Sequence, residues 1–231
     1  MATSRSGARS TDETPGAHAS AGARSVPDLV DAHHPGKRAF DLAVLAVAAL
    51  PALVLGSACA LAVLLADGPP VLFRQVRTGR GGQPFVLLKL RTMTVAGPAG
   101  EVLPDAARIT WAGRILRRIS ADELPQLINV LRGEMSLVGP RPTLPYQVQR
   151  YDSRQLSRLA VRPGMTGLAQ VKGRNLMGWD ERIEWDLRYV ARFSPWLDLA
   201  VILRTFWAVL GGAGVGAHSG VDPIAERGDS N

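Results

Sequence analysis

The sequence predicts an α+β fold that is mainly helical, with a re-entrant membrane helix hairpin, a small cytosolic domain and a short β-hairpin. Three observations lead to it: a 25-residue uncharged run, a glycine turn between two apolar segments, and helix signals beyond that turn. A single cysteine in 231 residues excludes an internal disulfide framework. We therefore expect one modest domain attached to a membrane-embedded segment.

The uncharged run occupies residues 42–66. A straight helix of this length would reach about 37 Å, enough to cross the ~30 Å hydrocarbon core of a bilayer. Basic residues flank both ends of the run, however, and basic flanks prefer the cytoplasmic face. Pro51 lies near the middle, where it removes a backbone donor and favours a bend. These features favour a hairpin that enters one leaflet and returns, and a simple span stays open as the alternative.

Two other interpretations of the run are disfavoured. A secretory signal has a shorter apolar region close to the start of the chain, whereas this run begins after 41 residues. A buried helix of a soluble protein is seldom this long without a charge. The membrane interpretation therefore stands.

Composition divides the chain into four parts. Residues 1–36 are rich in small and charged residues without apolar periodicity, which is typical of a disordered tail. Residues 37–66 form the predicted re-entrant helix hairpin, residues 67–214 the globular domain, and residues 215–231 a second disordered tail.

The elements of the globular domain follow from local signals. Residues 68–70, Gly-Pro-Pro, end the apolar helix, and residues 71–77 and 84–92 predict two strands joined by a glycine turn. Residues 114–120 predict a short basic helix, and residues 124–131 predict the first turns of another.

The net charge of +7 is concentrated in one stretch. Residues 37–118 carry eleven basic and four acidic residues, and only three of the 27 basic residues in the chain are lysines. Arginine suits bidentate contacts with phosphate better than lysine does. A phosphate-rich partner is one explanation; an arginine-rich composition that meets anionic lipid beside a membrane segment is the other.

Asp122 and Glu123 are adjacent carboxylates that follow Arg117 and Arg118, and the helix predicted over residues 124–131 is expected to begin at this pair. Free backbone donors at a helix start also attract phosphate. A capping box formed by Ser120 and Glu123, or an ordinary surface ion pair, would explain the same residues without chemistry.

The wider sequence around this pair is specific. SADELPQLINVLRGEMSLVGPRP, residues 120–142, strongly resembles the core motif of the bacterial sugar transferase family, the small monotopic phosphoglycosyl transferases. The similarity covers about residues 37–214, through KRAFD, the proline-broken run, FRQVRTGRGGQPF, KLRTM, VRPGMTGLAQVKGRN and WDERIEWDLRYV. Departures are mild: Leu90 stands where the family often has phenylalanine, and Glu134 where aspartate is common.

The resemblance implies transfer of a sugar 1-phosphate from a nucleotide diphosphate sugar, expected to be a UDP-sugar, to polyprenyl phosphate. Asp122 is expected to attack the sugar-bearing phosphorus, giving a phosphosugar-aspartyl enzyme and releasing the nucleoside monophosphate. Asp122 and Glu123 are expected to hold Mg²⁺, with Glu123 as metal ligand or proton handler. The expected substrate contacts are Lys89, Arg117, Arg141 and Asp186.

The resemblance also implies a place in the cell. The protein is expected to be monotopic in the bacterial cytoplasmic membrane, in contact with membrane lipids and not with nucleic acid, with residues 67–214 as a catalytic domain on the cytoplasmic face. It would initiate exopolysaccharide, capsule or other glycan assembly. Residues 196–207 carry tryptophan at both ends and predict either an interfacial helix or a packed core helix. The sugar, the pathway and homodimer formation stay open.

The alternative from another class is a membrane-tethered basic binding or scaffold protein without catalysis. It explains the charge and the membrane segment. It does not explain the Asp122-Glu123 pair or the Gly139-Pro140-Arg141-Pro142 motif.

Overall fold

The computed structural model describes residues 36–94, 105–173 and 177–211. Apart from Gly36, the two predicted tails lie outside the described residues. The helices are α1 Lys37–Asp67, α2 Asp105–Arg108, α3 Trp111–Arg118, α4 Gln126–Arg132, α5 Pro145–Val148, α6 Ser153–Leu156, α7 Leu168–Gly173, α8 Trp179–Arg192 and α9 Pro195–Leu210. The strands are β1 Leu72–Thr78, β2 Pro84–Leu90, β3 Ser136–Val138 and β4 Gly164–Thr166. This is the predicted α+β fold, mainly helical.

The strands form two small sheets. β1 and β2 pair antiparallel, from Leu72 opposite Leu90 to Thr78 opposite Pro84, which confirms the predicted β-hairpin. Its turn contains Gly81 at φ +63°, a left-handed conformation that favours glycine. β3 and β4 pair parallel and bring together two segments that are far apart in the sequence.

Helix α1 is a single helix of 31 residues that includes Pro51. By length and composition it is the one described helix that could cross a membrane. The predicted hairpin is not confirmed, because helical structure continues through Pro51. A proline removes one hydrogen bond and can bend a helix without ending it.

One face of α1 packs against the globular domain at two places, one in each half of the helix. In its first half, Leu45 belongs to a buried cluster with Phe85 and Val130. In its second half, Cys59 and Val63 belong to another buried cluster. That second cluster includes Leu90, Leu116 and Ala121 of the domain. The side chains between the two clusters are largely exposed, among them Val47, Leu50, Leu53 and Val54.

The region around α3 and α4 is held by polar side chains. Thr110 accepts a hydrogen bond from the Gly113 amide at 2.9 Å and caps α3, so this helix starts three residues before the predicted 114–120 segment. Asn129 of α4 is fully buried; it accepts from the Leu88 amide at 3.1 Å and donates to the Val86 carbonyl at 2.8 Å. A buried amide is stable only when satisfied, so Asn129 fixes α4 against β2.

Candidate active site

Asp122 and Glu123 lie in a single 3-10 turn, Ala121–Glu123, between α3 and α4. The preceding residue, Ser120, has φ +55°, which is uncommon for a residue with a side chain and stores local strain. The Ser120 side chain does not cap this turn, so the capping-box interpretation is wrong. Helix α4 itself begins at Gln126, later than the sequence predicts.

Glu123 is held by two cations. Lys89 Nζ lies 2.7 Å and Arg141 Nη2 lies 2.8 Å from the same oxygen, Oε1. Burial favours the neutral form of this carboxyl, but Arg141 and Lys89 outweigh it and hold the pKa of Glu123 well below its usual range. Glu123 is therefore ionised at neutral pH and fixed in position, which makes it a poor proton handler.

Asp122 has a different environment. It is 7% exposed, and its nearest cation, Lys89 Nζ, is 4.0 Å from Oδ2. Among the described residues no side chain donates a hydrogen bond to it. Burial raises the pKa of Asp122 and Glu123 adds to this, whereas Lys89, Arg117 and Arg141 oppose it. Asp122 is thus the carboxylate whose oxygens stay available for a bond to substrate.

Arg117 comes from the last turn of α3. Its Nε donates to the Thr92 hydroxyl at 2.9 Å, which directs the half-buried guanidinium near the acidic turn. Its charge is close enough to lower the pKa of Asp122. Arg117, Lys89 and Arg141 therefore surround the two carboxylates with three cations.

Arg141 lies in the loop after β3, which meets the loop before β4. The Gly139 amide donates to the Thr166 carbonyl and the Gly164 amide to the Pro140 carbonyl, both at 2.9 Å. A Cβ at Gly139 would lie 2.5 Å from the Arg162 carbonyl oxygen, closer than packing permits. The close approach of these two backbones joins the Gly-Pro-Arg-Pro motif, residues 139–142, to the Arg-Pro-Gly motif, residues 162–164. The two motifs are distant in sequence but form one structural unit.

Asp186, on α8, is not beside the carboxylate turn. It is 2% exposed and forms a buried ion pair with Arg158. The structure thus brings five of the six predicted site residues together. Asp186 is separated from Arg141 by Arg158, which donates to both. Arg158 was missed at the sequence level, because nothing in its local pattern separates it from the other arginines.

A carboxylate with available oxygens, beside a fixed second carboxylate and three cations, is an arrangement that suits the binding of phosphate groups. The chain belongs to the bacterial sugar transferase family, whose model matches residues 32–212, and it is therefore a transferase. The alternative of a non-catalytic binding protein is set aside on this ground.

Three relatives illustrate the similarity. An uncharacterized sugar transferase of Bacillus subtilis, EpsL, is 44% identical over 182 residues, which are 78% of this chain and 89% of the relative. The UDP-glucose:undecaprenyl-phosphate glucose-1-phosphate transferase of Caulobacter vibrioides is 45% identical over 194 residues, 75% of this chain and 69% of the relative. The exopolysaccharide production protein ExoY of Rhizobium meliloti is 39% identical over 193 residues, 75% of this chain and 84% of the relative.

Proposed function

We propose that this enzyme transfers a sugar 1-phosphate from a UDP-sugar to polyprenyl phosphate through a phosphosugar-aspartyl intermediate on Asp122, an early step of exopolysaccharide or other glycan assembly. The observation that carries the proposal is the contrast within the acidic pair: Glu123 is tied to two cations, whereas Asp122 is buried beside them with its oxygens uncommitted. The name of the Caulobacter vibrioides relative supports the donor and acceptor classes.

The first step breaks the donor diphosphate. An Asp122 oxygen attacks the phosphorus that bears the sugar, the bond from that phosphorus to the bridging oxygen breaks, and UMP leaves with the bonding electrons. Arg117, Arg141 and Lys89 reduce the repulsion between the carboxylate and the phosphate and stabilise the charge on the leaving group.

The second step regenerates the enzyme. A phosphate oxygen of polyprenyl phosphate attacks the same phosphorus, and the bond to Asp122 breaks. The product is a polyprenyl diphosphate sugar, and Asp122 returns to its carboxylate form. The number of phosphoanhydride bonds is conserved over the two steps, so no further energy source is required.

We also propose Mg²⁺ as the cofactor. Among the described residues no group of three or more metal-binding side chains exists. Mg²⁺ is nevertheless commonly bound through one or two carboxylates together with substrate phosphates and water. Asp122 and Glu123 fit that requirement and would hold the ion, which when bound neutralises charge on the diphosphate.

The contacts of α1 support a membrane insertion that does not cross the bilayer. Near its start, Arg38 Nη2 donates to the Leu131 carbonyl at 2.8 Å. At its end, Asp67 accepts from the Thr110 hydroxyl at 2.8 Å. A domain on one side of a bilayer cannot contact both ends of a helix that crosses it. The hairpin and a cytoplasmic catalytic domain therefore remain part of our proposal.

Two further helices present apolar side chains to the outside. In α9, Asp198 and Val201 are buried, so this helix packs in the core. The remainder of α9 exposes Trp196, Leu203, Phe206, Trp207 and Leu210. Trp111, Ile115 and Ile119 are exposed on and just after α3. Tryptophan-rich apolar faces of this kind suit the headgroup region. They would hold the site near the plane where a lipid phosphate lies.

The decisive experiment uses the full chain in lipid nanodiscs with a panel of UDP-sugars. With polyprenyl phosphate and Mg²⁺ present, one donor should give steady UMP release. Without the lipid, the same donor should give at most one UMP per enzyme and a mass increase of one sugar phosphate on the peptide that contains Asp122. UMP release that strictly requires the lipid, with no covalent adduct, would exclude the aspartyl intermediate.

A further inference from the structure

Residues 138–143, the end of β3 and the loop that carries Arg141, have most of their carbonyl oxygens bound by donors from elsewhere in the fold. Two of the loop residues are prolines and lack an amide donor, so the loop cannot form a ladder of its own. Donors from other parts of the fold bind its carbonyl oxygens instead. The pairs are Tyr189 hydroxyl to Val138 at 3.0 Å, Gly164 amide to Pro140 at 2.9 Å, Arg158 Nη2 to Arg141 at 3.1 Å, Arg77 Nη1 to Pro142 at 3.3 Å and Thr78 amide to Thr143 at 2.9 Å.

Arg158 is the donor that binds the carbonyl of Arg141 itself. Its side chain is almost fully buried. Nη1 donates to the Tyr151 hydroxyl at 2.6 Å, and Nη2 donates to both Asp186 and the Arg141 carbonyl. The guanidinium also lies 5.7 Å and 5.9 Å from the ring centroids of Tyr151 and Trp179. It is therefore fixed by three acceptors and two rings.

We infer that Arg158 is a positioning residue for the transfer reaction: it fixes the backbone of Arg141 so that the Arg141 guanidinium meets Glu123 beside Asp122, and Asp186 orients Arg158. This inference rests on the proposed function. It replaces the expected substrate contact of Asp186 by an indirect connection. The Arg158 side chain links Asp186 to the Arg141 carbonyl, and the Arg141 side chain reaches Glu123.

An arginine is required for this role because the three acceptors lie in different directions. A planar guanidinium can serve Tyr151, Asp186 and the Arg141 carbonyl at once, whereas a lysine ammonium is a compact charge on a flexible stem. The conservative variant Arg158→Lys should therefore keep the buried charge and lose the orientation.

The chain offers a matched control. Arg154 and Glu184 form an ion pair between α6 and α8, the helix that also carries Asp186. This pair is exposed, at 69% and 39%, and Arg154 donates to no carbonyl of the Arg141 loop among the contacts described. Arg154→Lys tests the loss of an arginine in the same region without touching the loop.

The experiment is a double-mutant cycle on the full chain in nanodiscs, with kcat/KM for the donor as the readout. Arg158→Lys should lower kcat/KM by up to about 100-fold, the size expected when a substrate-positioning group moves by about 1 Å. In an Arg141→Lys background it should cause less than about 2-fold further loss, because the group that it positions has already been changed. Arg154→Lys should have no effect in either background. An equal loss from Arg158→Lys in both backgrounds would overturn the inference.

Asp186→Asn gives a separate test of the same inference. The variant should lower kcat/KM in the native background without changing the Mg²⁺ concentration for half-maximal rate. An increased Mg²⁺ requirement would place Asp186 on the metal and refute the connection through Arg158. If Arg158→Lys does not fold, Tyr151→Phe takes its place in the cycle, because it removes one acceptor and keeps the ion pair.

Thermal unfolding separates failure of this inference from failure of the proposed function. Absence of UMP release by the unmodified enzyme with every donor would refute the proposed function alone. The unfolding midpoints of the same variants then decide the inference: non-additive shifts for Arg158→Lys and Arg141→Lys support it, and additive shifts overturn it.

Discussion

Replacing Glu123 by glutamine should destabilise the fold strongly, because it leaves two largely buried cations without their shared counter-charge. Lys89 and Arg141 both contact Oε1, and their side chains are only 19% and 16% exposed. Breaking a buried ion pair by removing the charge of one partner costs about 3–5 kcal/mol. The residual exposure and the charge of Asp122 favour the lower end of this range, about 3 kcal/mol. For a chain of this size, that corresponds to a fall of about 6–12 °C in Tm.

The pH dependence of this effect has a defined sign. The pKa of Glu123 is lowered in the folded protein, so its ionic contribution to stability is fully present above its unfolded pKa, about 4.3, and is lost as the pH falls toward the folded pKa. The difference in Tm between the unmodified enzyme and Glu123→Gln should be complete at pH 7 and should shrink below about pH 4.

Differential scanning calorimetry in detergent, from pH 3 to pH 8, measures both quantities. Two variants calibrate the result. Lys89→Met in the Glu123→Gln background removes one of the two cations that have lost their counter-charge, and it should recover part of the lost Tm. Glu184→Gln removes the acid of an exposed pair, whose contribution is about 0–1 kcal/mol, and should change Tm by no more than about 4 °C. A change below 2 °C for Glu123→Gln at pH 7 would refute the assignment of Glu123 as the residue that holds these cations.

Asp122→Asn should abolish UMP release and leave Tm unchanged or higher, since burial raises the pKa of Asp122 and the neutral amide avoids that desolvation; near-normal turnover would refute the nucleophile assignment. Single cysteines at Gly36 and Gln83, in a chain without the native cysteine, should both resist membrane-impermeant labelling in intact cells, and labelling of either in intact cells would mean that α1 crosses the membrane. Gly139→Ala should cost about 1–3 kcal/mol and lower activity, because its Cβ would lie 2.5 Å from a carbonyl oxygen; Gly178→Ala, with open space around it, is the control, and equal Tm values for the two variants would contradict the close approach of the loops.

The parts of the fold that local patterns specify were predictable. The β-hairpin follows from two apolar segments around a glycine turn, and the acidic pair and Arg141 lie in the motif at 120–142 that carries the family resemblance. The start of α3 was misplaced because the capping threonine, Thr110, comes before an exposed tryptophan and no apolar period marks it. The predicted capping box does not form, because Ser120 adopts a left-handed conformation that cannot be recognised from its residue type.

The parts that depend on tertiary contacts were not predictable. Whether Asp186 faces the site or the interior depends on how α8 packs against the segment that carries Arg158, and the two residues are 28 positions apart. The sequence likewise predicts a bend of α1 at Pro51; helical structure continues through this residue and both halves of α1 pack on the domain, so the hairpin is not confirmed. The family resemblance of residues 120–142 pointed to the acidic pair, and long-range packing determines which residues support it.

The packing of α1 also determines how this enzyme can be divided. Leu45, Cys59 and Val63 are interior residues of the same hydrophobic clusters that hold Phe85, Leu90, Leu116 and Val130. A chain shortened to begin at Gly68 would expose those four side chains to water, so a soluble catalytic fragment should aggregate. Exchanging α1 for an unrelated apolar helix should fail for the same reason. In evolution, substitutions on the inner face of this helix are then constrained by the globular domain, and only its outer face is free to adapt to the lipid.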